Sequence, residues 1–277
     1  MDVSVDHSLP DDFRSSDDLW ALFSLVIPPD PPSGRRGRPK VEARRCFDAI
    51  FYILRTGAQW RAIPRDVCAH STAHDRFQEW QRNGVLALFW VLCVGIYDQL
   101  VGIDWVWQAV DCCMTKAPLG GESVGHNPTD RSKIGTKRSI LTDGRGVALG
   151  LAVDGANRHD SKLLGRTLDL SPIQRPVPKE IQSHLCLDKA YDGGPSEKIV
   201  EDRGYIAHIK SRGDEETEKK TIPGYRARRW VVERTHSWMN RFRRLLIRWE
   251  KKVDNYIAFL HLASAFSARS MTKAAAL

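Results

Sequence analysis

The stretch KRSILTDGRGVALGLAVDG, residues 137–155, decides the fold class. It consists of two runs of mostly aliphatic residues joined by the dipeptide Asp143-Gly144, which is typical of a tight turn between antiparallel strands. A third run, WVWQAVDCCM at 105–114, is rich in β-branched and aromatic residues and precedes this pair. The sequence therefore predicts three strands in a meander.

Helical and strand patterns alternate after this meander. In chain order, the sequence predicts a helix at 160–170, a strand at 184–187, a helix at 195–204, a strand at 204–209, and helices at roughly 224–249 and 253–270. A hairpin-linked sheet followed by αβαβα is typical of an α/β fold in which helices flank a mixed sheet.

The first hundred residues have a different, helical pattern. Apolar residues recur at helical spacing from Phe47 to Leu54, Gly57 provides a helix stop, and a second helix is predicted at 71–84. Together they resemble a helix–turn–helix module that reads DNA, although many helical hairpins bind no DNA. We predict a small helical N-terminal domain at 1–100 and a second domain at 101–277.

Composition indicates a globular, basic protein. The 277 residues are 42% hydrophobic and 27% charged, with a net charge of +8, which is compatible with nucleic acid, an anionic membrane surface or no specific partner. The N-terminus lacks the pattern of a signal peptide. The longest uncharged stretch, 85–97, has 13 residues, fewer than the roughly 20 that span a bilayer. We expect a cytoplasmic protein without a membrane partner.

The cysteines and histidines give weaker indications. Six cysteines occur without a CxxC pair, so we expect reduced and mostly buried thiols. Cys68, His70 and His74 form a local cluster in which the two histidines could share one helix face, as zinc ligands require, but a fourth ligand is not evident nearby. A structural or surface role is the favoured interpretation.

Three acidic residues have the placement that metal-dependent phosphodiester chemistry needs. Such chemistry uses carboxylates that converge on ions about 3.5–4 Å apart. Asp111 lies within a predicted strand, and Asp188 ends another, at the edge where α/β sites form. Glu233 is the single carboxylate of RRWVVERTHSWMNRFRRL, residues 228–245, which holds six arginines. A role for Glu233 as a metal ligand beside a bound polyanion would explain why so basic a helix contains one acid.

Each of these residues has a second interpretation. Asp111 could simply end its strand. Asp188 could cap the following turn, with Asp192 as the competing ligand. Glu233 lies four residues after Arg229, a favourable surface pair in helices generally.

The order of the three acids, with 76 and 44 residues between them, resembles the DDE triad of bacterial insertion-sequence transposases, most closely the family numbered five. The matching stretches are GRRGRPKVEARRCFDAIFYILRTGAQWRAIP (34–64), HNPTDRSKIGTKRSILTDGRGV (126–147), DGANRHDSKLL (154–164), LDKAYDGG (187–194) and residues 228–245. The resemblance implies a ribonuclease-H-like core in which Asp111, Asp188 and Glu233 are both catalytic and metal ligands.

The resemblance also implies an activity, a cofactor and partners. A transposase of this kind binds the terminal inverted repeats of its element, cleaves phosphodiester bonds with two Mg²⁺ ions (Mn²⁺ as a substitute), and transfers the 3′-hydroxyl ends to target DNA. Its partner is double-stranded DNA, and a homodimer or larger assembly forms on that DNA. The implied location is the bacterial cytoplasm, in association with the nucleoid.

Basic residues outside the triad are candidate DNA contacts. Arg36-Gly37-Arg38-Pro39 is similar to an AT-hook core, which enters the minor groove, and a flexible basic lead-in is the alternative. The predicted contacts are Arg35, Arg36, Arg38, Lys40, Arg131, Lys133, Lys137, Arg138, Arg229 and Arg241.

The chain departs from the family pattern at three places. Tyr225 lies one place before the signature tyrosine, and the later basic position falls on Asn240, with Arg241 beside it. Cys112-Cys113 follows Asp111, where the family often has a small residue. These departures leave alternatives open, namely an inactive DNA-binding protein derived from a transposase, or a structure-specific nuclease of the same fold. A recombinase with a Tyr or Ser nucleophile is a third.

Overall fold

The computed structural model describes residues 9, 13–29, 40–177, 181–210 and 228–275. The strands are β1 (Trp107–Lys116), β2 (Gly125–His126), β3 (Ile134–Asp143), β4 (Ala148–Gly155), β5 (Ser183–Asp188) and β6 (Tyr205–Lys210). The helices are α1 (Asp17–Ser24), α2 (Ala43–Thr56), α3 (His70–Arg82), α4 (Val85–Leu100), α5 (Ser161–Asp169), α6 (Gly194–Glu201), α7 (Trp230–Met239), α8 (Arg243–Leu246) and α9 (Val253–Ala275).

All six strands form one mixed sheet. β3 pairs antiparallel with β1 on one side and with β4 on the other, and β5 and β6 extend the sheet from β1 in parallel. The two-residue strand β2, which the sequence did not predict, lies beside the start of β3. The spatial order β4-β3-β1-β5-β6, with three antiparallel strands followed by two parallel ones, is that of a ribonuclease-H-like core, and the fold-class prediction is confirmed.

The turn between β3 and β4 is held by a buried carboxylate. Asp143 is fully buried, and its Oδ1 accepts hydrogen bonds from the backbone N–H groups of Arg145 and Val147 at 3.0 and 2.8 Å. The Tyr97 hydroxyl, from α4, donates to Asp143 Oδ2 at 2.9 Å. The predicted hairpin is therefore confirmed, and its aspartate also ties the sheet to the N-terminal helices.

Alternation along β3 determines which helix packs on which face of the sheet. Ser139 Oγ accepts a hydrogen bond from Thr167 of α5 at 2.8 Å. The next residue back, Arg138, points to the opposite face and bonds to α7. The β1 partner of Arg138 is Cys113, so Asp111, two residues before Cys113, lies on the α7 face.

The prediction of one helix over roughly 224–249 is wrong for its described part. Helix α7 ends at Met239, and the short α8 follows before the chain extends to form a bridge between Ile247 and Lys116. Arg248 explains the extension: its backbone N–H bonds to Lys116 O at 2.8 Å, and its buried guanidinium donates to the carbonyls of Glu122 and Ser123. A helix through 249 would break these bonds.

The N-terminal helices and the last helix share one hydrophobic core. The rings of Phe77 and Phe259 stack with centroids 4.6 Å apart, and Phe51 and Phe266 meet edge-on at 4.9 Å. The predicted domain boundary at residue 100 stays a prediction, because α9, from the C-terminal part of the chain, packs against the N-terminal helices. Among the described residues no single helix is long and apolar enough to cross a membrane, and only α3 and α4 pass together, across a 67° bend.

Candidate active site

Asp111 and Asp188 lie side by side on parallel strands. The β1–β5 register pairs Trp107 with His184 and ends with Ala109 opposite Cys186; continuing it by two residues past this last pair places Asp111 level with Asp188. Neighbouring strands are about 4.8 Å apart, and residues two apart on a strand face the same way. The two carboxylates therefore project from one face of the sheet. One oxygen of Asp188 also accepts a hydrogen bond from the Ala190 N–H at 2.9 Å, as the alternative interpretation of a turn cap describes, and this bond uses only one of the two carboxylate oxygens.

Helix α7 brings Glu233 over the same face. His236 of this helix bonds through Nε2 to the carbonyl oxygen of Asp111 at 3.2 Å. Residues three apart lie on one side of a helix, so Glu233, one turn before His236, faces the strand that carries Asp111. The fold thus assembles the three acids from two strands and one helix.

The pKa of Asp111 is raised to about 6. Burial is the main cause, and the negative charges of Asp188 and Glu233 add to it, while a hydrogen bond from the Cys112 N–H and the charge of Arg229 oppose it. Such repulsion weakens with distance, so both Asp188 and Glu233 lie within electrostatic range of Asp111. A divalent cation would relieve this repulsion.

Glu233 is held by Arg229, as the second interpretation of this residue predicted. Arg229 Nη1 donates to Glu233 Oε1 at 2.8 Å, with the Arg229 side chain 9% exposed and that of Glu233 43% exposed. In the part of the chain that the structure describes, no three His, Cys, Asp or Glu side chains stand ready-made around a metal position. The donor set suits a hard divalent cation, but Glu233 must turn away from Arg229 to complete it.

Sequence reasoning missed His236, which links the strand of Asp111 to the helix of Glu233. Burial, together with the charge of Arg138, lowers the pKa of His236 to about 3, so the ring is neutral at pH 7. In the tautomer that satisfies both bonds, Nε2–H donates to Asp111 O and Nδ1 accepts from Arg138 Nε at 3.4 Å. Its position one turn after Glu233 was the available signal.

Arg138 belongs to this network and is fully buried. Its guanidinium donates to Asn240 Oδ1 at 2.7 Å and to the His236 carbonyl at 3.4 Å. The prediction that Arg138 contacts DNA is therefore wrong for this fold, because the guanidinium is enclosed by protein acceptors.

Two other predicted DNA contacts are also buried. Lys137 is 7% exposed, and its ammonium donates to the carbonyl of Arg158 at 2.6 Å and to the carboxylate of Asp160. Asp160 occupies the N-cap position of α5 but makes no side-chain cap hydrogen bond there. Arg229, also 7% exposed, is committed to Glu233. We therefore remove Lys137 and Arg229, with Arg138, from the candidate DNA contacts.

The other described candidates lie on the surface. Lys40, Arg131, Lys133 and Arg241 are exposed. Lys133 and Lys116 share Asp130, at 3.8 and 3.3 Å, so part of that loop's charge is neutralised. Arg35, Arg36 and Arg38, with the AT-hook-like segment, and also Tyr225, lie outside the described residues.

The two cysteines after Asp111 fill space on opposite faces of β1. Cys112 Sγ lies 3.3 Å from the hydroxyl of buried Tyr191, and Cys113 Sγ accepts from Arg138 at 3.8 Å. The Cys112 contact lies on the face of β1 opposite the Asp111 carboxylate, and the Cys113 contact with Arg138 supports the strand. The departure from the family pattern therefore leaves the Asp111 carboxylate in place.

Comparison with known proteins identifies matches over most of the chain. Residues 107–267 match the family model "Transposase DDE domain", and residues 16–90 match "Putative transposase of IS4/5 family". The "Putative transposase for insertion sequence element IS402" of Burkholderia cepacia is 37% identical over 146 residues, covering 52% of this chain and 67% of that protein. A second protein of the same element, an "uncharacterized 16.2 kDa protein", is 30% identical over 116 residues, or 40% of this chain and 79% of its own length.

Solved structures give a distant likeness. The catalytic domain of Mos1 mariner transposase is 10% identical, covers 71% of this chain and 94% of its own, and has a TM-score of 0.29. A pre-cleavage Mos1 transpososome is 8% identical, covers 88% and 82%, and has a TM-score of 0.30. Both scores are low, and the fold assignment rests on the strand order instead.

Proposed function

The chain belongs to the family of DDE transposases, and from this premise we propose that it cleaves DNA at the ends of an insertion sequence and joins the freed 3′-hydroxyl ends to target DNA. The observation that carries the proposal is that Asp188, on the neighbouring strand, and Glu233, on α7, lie close enough to buried Asp111 for their charges to raise its pKa. Acids that repel one another in this way are adapted to a bound cation.

Mg²⁺ is the proposed cofactor, with Mn²⁺ as a substitute, and the three carboxylates would hold it. Bound there, divalent ions supply Lewis acidity to a phosphate oxygen and to an attacking water or hydroxyl. Asp111 and Asp188 give the site a rigid base on two strands. Glu233, partly exposed on α7, is the ligand that has to move.

The Arg229–Glu233 ion pair gives the cation-free site a resting arrangement. A bare glutamate near a DNA strand repels phosphate, and pairing with Arg229 neutralises that charge. Cation binding is then coupled to breakage of the ion pair between Arg229 and Glu233. Meanwhile the bonds from His236 and Arg138 keep the strand of Asp111 in register with α7.

Double-stranded DNA is the proposed partner, and the N-terminal helices contribute to binding the inverted repeats. A groove of about 630 Å³ beside α2 and α3 supports this, since the charged residues of its lining are mostly basic. Its charged residues include Lys40, Arg45, Arg65, Arg76 and Arg82, against Asp75 and Glu79. With the surface residues Arg131, Lys133 and Arg241, these cations favour a polyanion through release of its counterions.

Two element ends have to be joined in one reaction, so we propose a homodimer or larger assembly on DNA. Association with the nucleoid follows from the same partner. No protein nucleophile is proposed, because the site is built from carboxylates.

The test is a reaction of the full-length protein with DNA that carries the element ends, with and without Mg²⁺. We expect nicked and joined products from the wild type, and at least about a 100-fold loss with Asp188→Asn, since a ligand is removed. Asp192→Asn, which replaces the exposed competing candidate four residues away, is the matched comparison and is expected to retain activity.

The outcomes separate the alternatives. An inactive DNA-binding protein would bind the ends equally well as wild type and as Glu233→Gln, with no product from either. A structure-specific nuclease would cut without joining pre-cleaved ends. A recombinase with its own nucleophile would leave protein trapped on DNA after denaturation. Each of these results would contradict the proposal.

A further inference from the structure

Two thiols meet in the N-terminal helical region, far along the chain from the three acids. Cys46 lies in the first turn of α2, and Cys68 lies just before α3. Their sulfur atoms are 3.9 Å apart. The two segments are also joined by Arg45, whose guanidinium donates to the carbonyls of Asp66 and Val67. The sulfur atoms are thus held near each other by contacts other than their own.

The two thiols differ in their position relative to a groove. Both are buried, but Cys68, 2% exposed, lines the basic groove beside α2 and α3, whereas Cys46 is 0% exposed and does not line it. Small reactants in the groove therefore meet Cys68 first. Arg45 and Arg76, which also line the groove, place positive charge beside this sulfur.

Cys46 and Cys68 also differ in acidity. The pKa of Cys68 is lowered to about 7, chiefly because the Cys46 thiol donates a hydrogen bond to the Cys68 thiolate, with added attraction from Arg45. The pKa of Cys46 is raised, because it retains the shared proton and is buried. Burial raises the pKa of Cys93 and of Cys112 to about 12. Cys68 therefore has far more thiolate at neutral pH than these two.

We propose that Cys68 and Cys46 form a peroxide-reactive dithiol, in which Cys68 is the attacking thiolate and Cys46 the resolving thiol. The Cys68 sulfur attacks the terminal oxygen of a hydroperoxide, so that an S–O bond forms, the O–O bond breaks, and the leaving alkoxide or hydroxide takes a proton. Cys46 then attacks the Cys68 sulfur, an S–S bond forms, and the S–O bond breaks. The Cys46 proton leaves with that oxygen as water.

The overall step oxidises two thiols to one disulfide. An organic hydroperoxide is reduced to an alcohol and one water is released, whereas hydrogen peroxide gives two waters. The sulfur atoms must close from 3.9 Å to about 2.05 Å, which side-chain rotation and a small shift of the segment before α3 can supply. The product is a covalent link between the start of α2 and the segment that leads into α3. The step needs neither DNA nor a metal ion, so it can be measured separately from DNA cleavage, although Cys68 lines the groove proposed to bind DNA.

The experiment treats the folded full-length protein with one equivalent of hydrogen peroxide, alkylates the remaining thiols after unfolding, and maps the peptides by mass spectrometry. We expect a peptide pair joined through Cys46 and Cys68, with Cys93 and Cys112 alkylated. Cys46→Ser is expected to stop at a sulfenic acid on Cys68, which dimedone traps. Cys93→Ser is the matched control and leaves the disulfide unchanged.

A second measurement needs no variant. The rate of alkylation of Cys68 by iodoacetamide in the native protein is followed against pH, and we expect a midpoint near 7 rather than the usual value of about 8.5. Peroxide that leaves this pair reduced, or that oxidises Cys112 or Cys113 first, would overturn the proposal. So would a midpoint at or above the usual value.

Discussion

At the scale of single residues, His236 is the contact through which β1 and α7 are held together. The substitution His236→Phe keeps an aromatic side chain but removes both hydrogen bonds of the imidazole. We predict that it slows DNA cleavage at least about 10-fold, because Glu233 is misplaced relative to Asp111. It also lowers the free energy of unfolding by about 1–3 kcal/mol, because buried Arg138 and the Asp111 carbonyl lose a partner. Urea unfolding and a cleavage time course measure the two effects.

The matched control for this prediction is His261→Phe. His261 is a partly buried histidine, stacked on Trp90 with ring centroids 5.2 Å apart, and it lies on α9 rather than beside the acids. We expect its substitution to leave the cleavage rate within about 2-fold of wild type, as for a site without shared partners. Equal cleavage rates for His236→Phe and wild type would show that the link has no positioning role.

The Asp111 carboxyl gives a pH-dependent prediction. Its pKa is raised from 3.8 to about 6, so the folded state binds this proton more tightly than the unfolded chain. Without divalent cations, the wild type therefore loses stability from this group as pH rises from about 4 to about 6, and the loss is complete above that range. We predict that Asp111→Asn is more stable than wild type at pH 7, by about 1–3 kcal/mol.

The two proteins should converge below about pH 4, where both folded and unfolded Asp111 carry a proton. Thermal or urea unfolding over pH 4–8 in a chelator measures the difference, and exposed Asp192→Asn serves as the control without effect. A wild type that is the more stable protein at pH 7 under these conditions would contradict the raised pKa.

The sequence singled out three candidate acids by local pattern, Asp111 within an apolar strand, Asp188 at a strand end and Glu233 alone among arginines, and by the resemblance of their order to the DDE triad. Their role as metal ligands stays a prediction. The buried role of Arg138 could not be predicted from the sequence, because its partner His236 is 98 residues away. A basic residue before a strand has the same local pattern whether its side chain faces solvent or a buried acceptor. Only the packing of α7 decides between the two.

At the scale of elements, the β3–β4 turn depends on Asp143. We predict that Asp143→Ala lowers the free energy of unfolding by about 2–4 kcal/mol, because it leaves the Tyr97 hydroxyl and the turn N–H groups without their acceptor. Tyr97→Phe removes one of these bonds and should cost about 1 kcal/mol. Equilibrium urea unfolding measures both, and an equal effect of the two substitutions would contradict the role of the carboxylate as the common acceptor.

Most elements could be located from hydrophobic periodicity, and the exception has a specific cause. The pattern at 228–245 is helical throughout, yet the chain turns after α7. Arg138 donates to Asn240 at the end of α7, and Arg248 donates to the carbonyls of Glu122 and Ser123. Bonds between residues more than 100 positions apart outweigh local helix propensity here, and no local pattern encodes them.

At the scale of the whole molecule, the N-terminal helices depend on α9 for part of their core. Phe77 stacks on Phe259, and Phe51 meets Phe266. Removing two such buried rings costs about 6–10 kcal/mol, which is comparable to the stability of a typical domain. We predict that a fragment of residues 1–106 alone shows no cooperative thermal transition by circular dichroism. The same fragment joined by a flexible linker to residues 253–275 should show one, and a cooperative transition in the shorter fragment would contradict the shared core.

The central claim is that Asp111, Asp188 and Glu233 together bind divalent cations. The most direct test is titration of the full-length protein with Mn²⁺, without DNA, followed by the electron paramagnetic resonance signal of the free ion. We predict that Asp111→Asn, Asp188→Asn and Glu233→Gln each weaken binding at least about 10-fold, while Asp192→Asn binds as the wild type does. Equal Mn²⁺ binding by the wild type and by a variant with all three acids replaced would contradict the account.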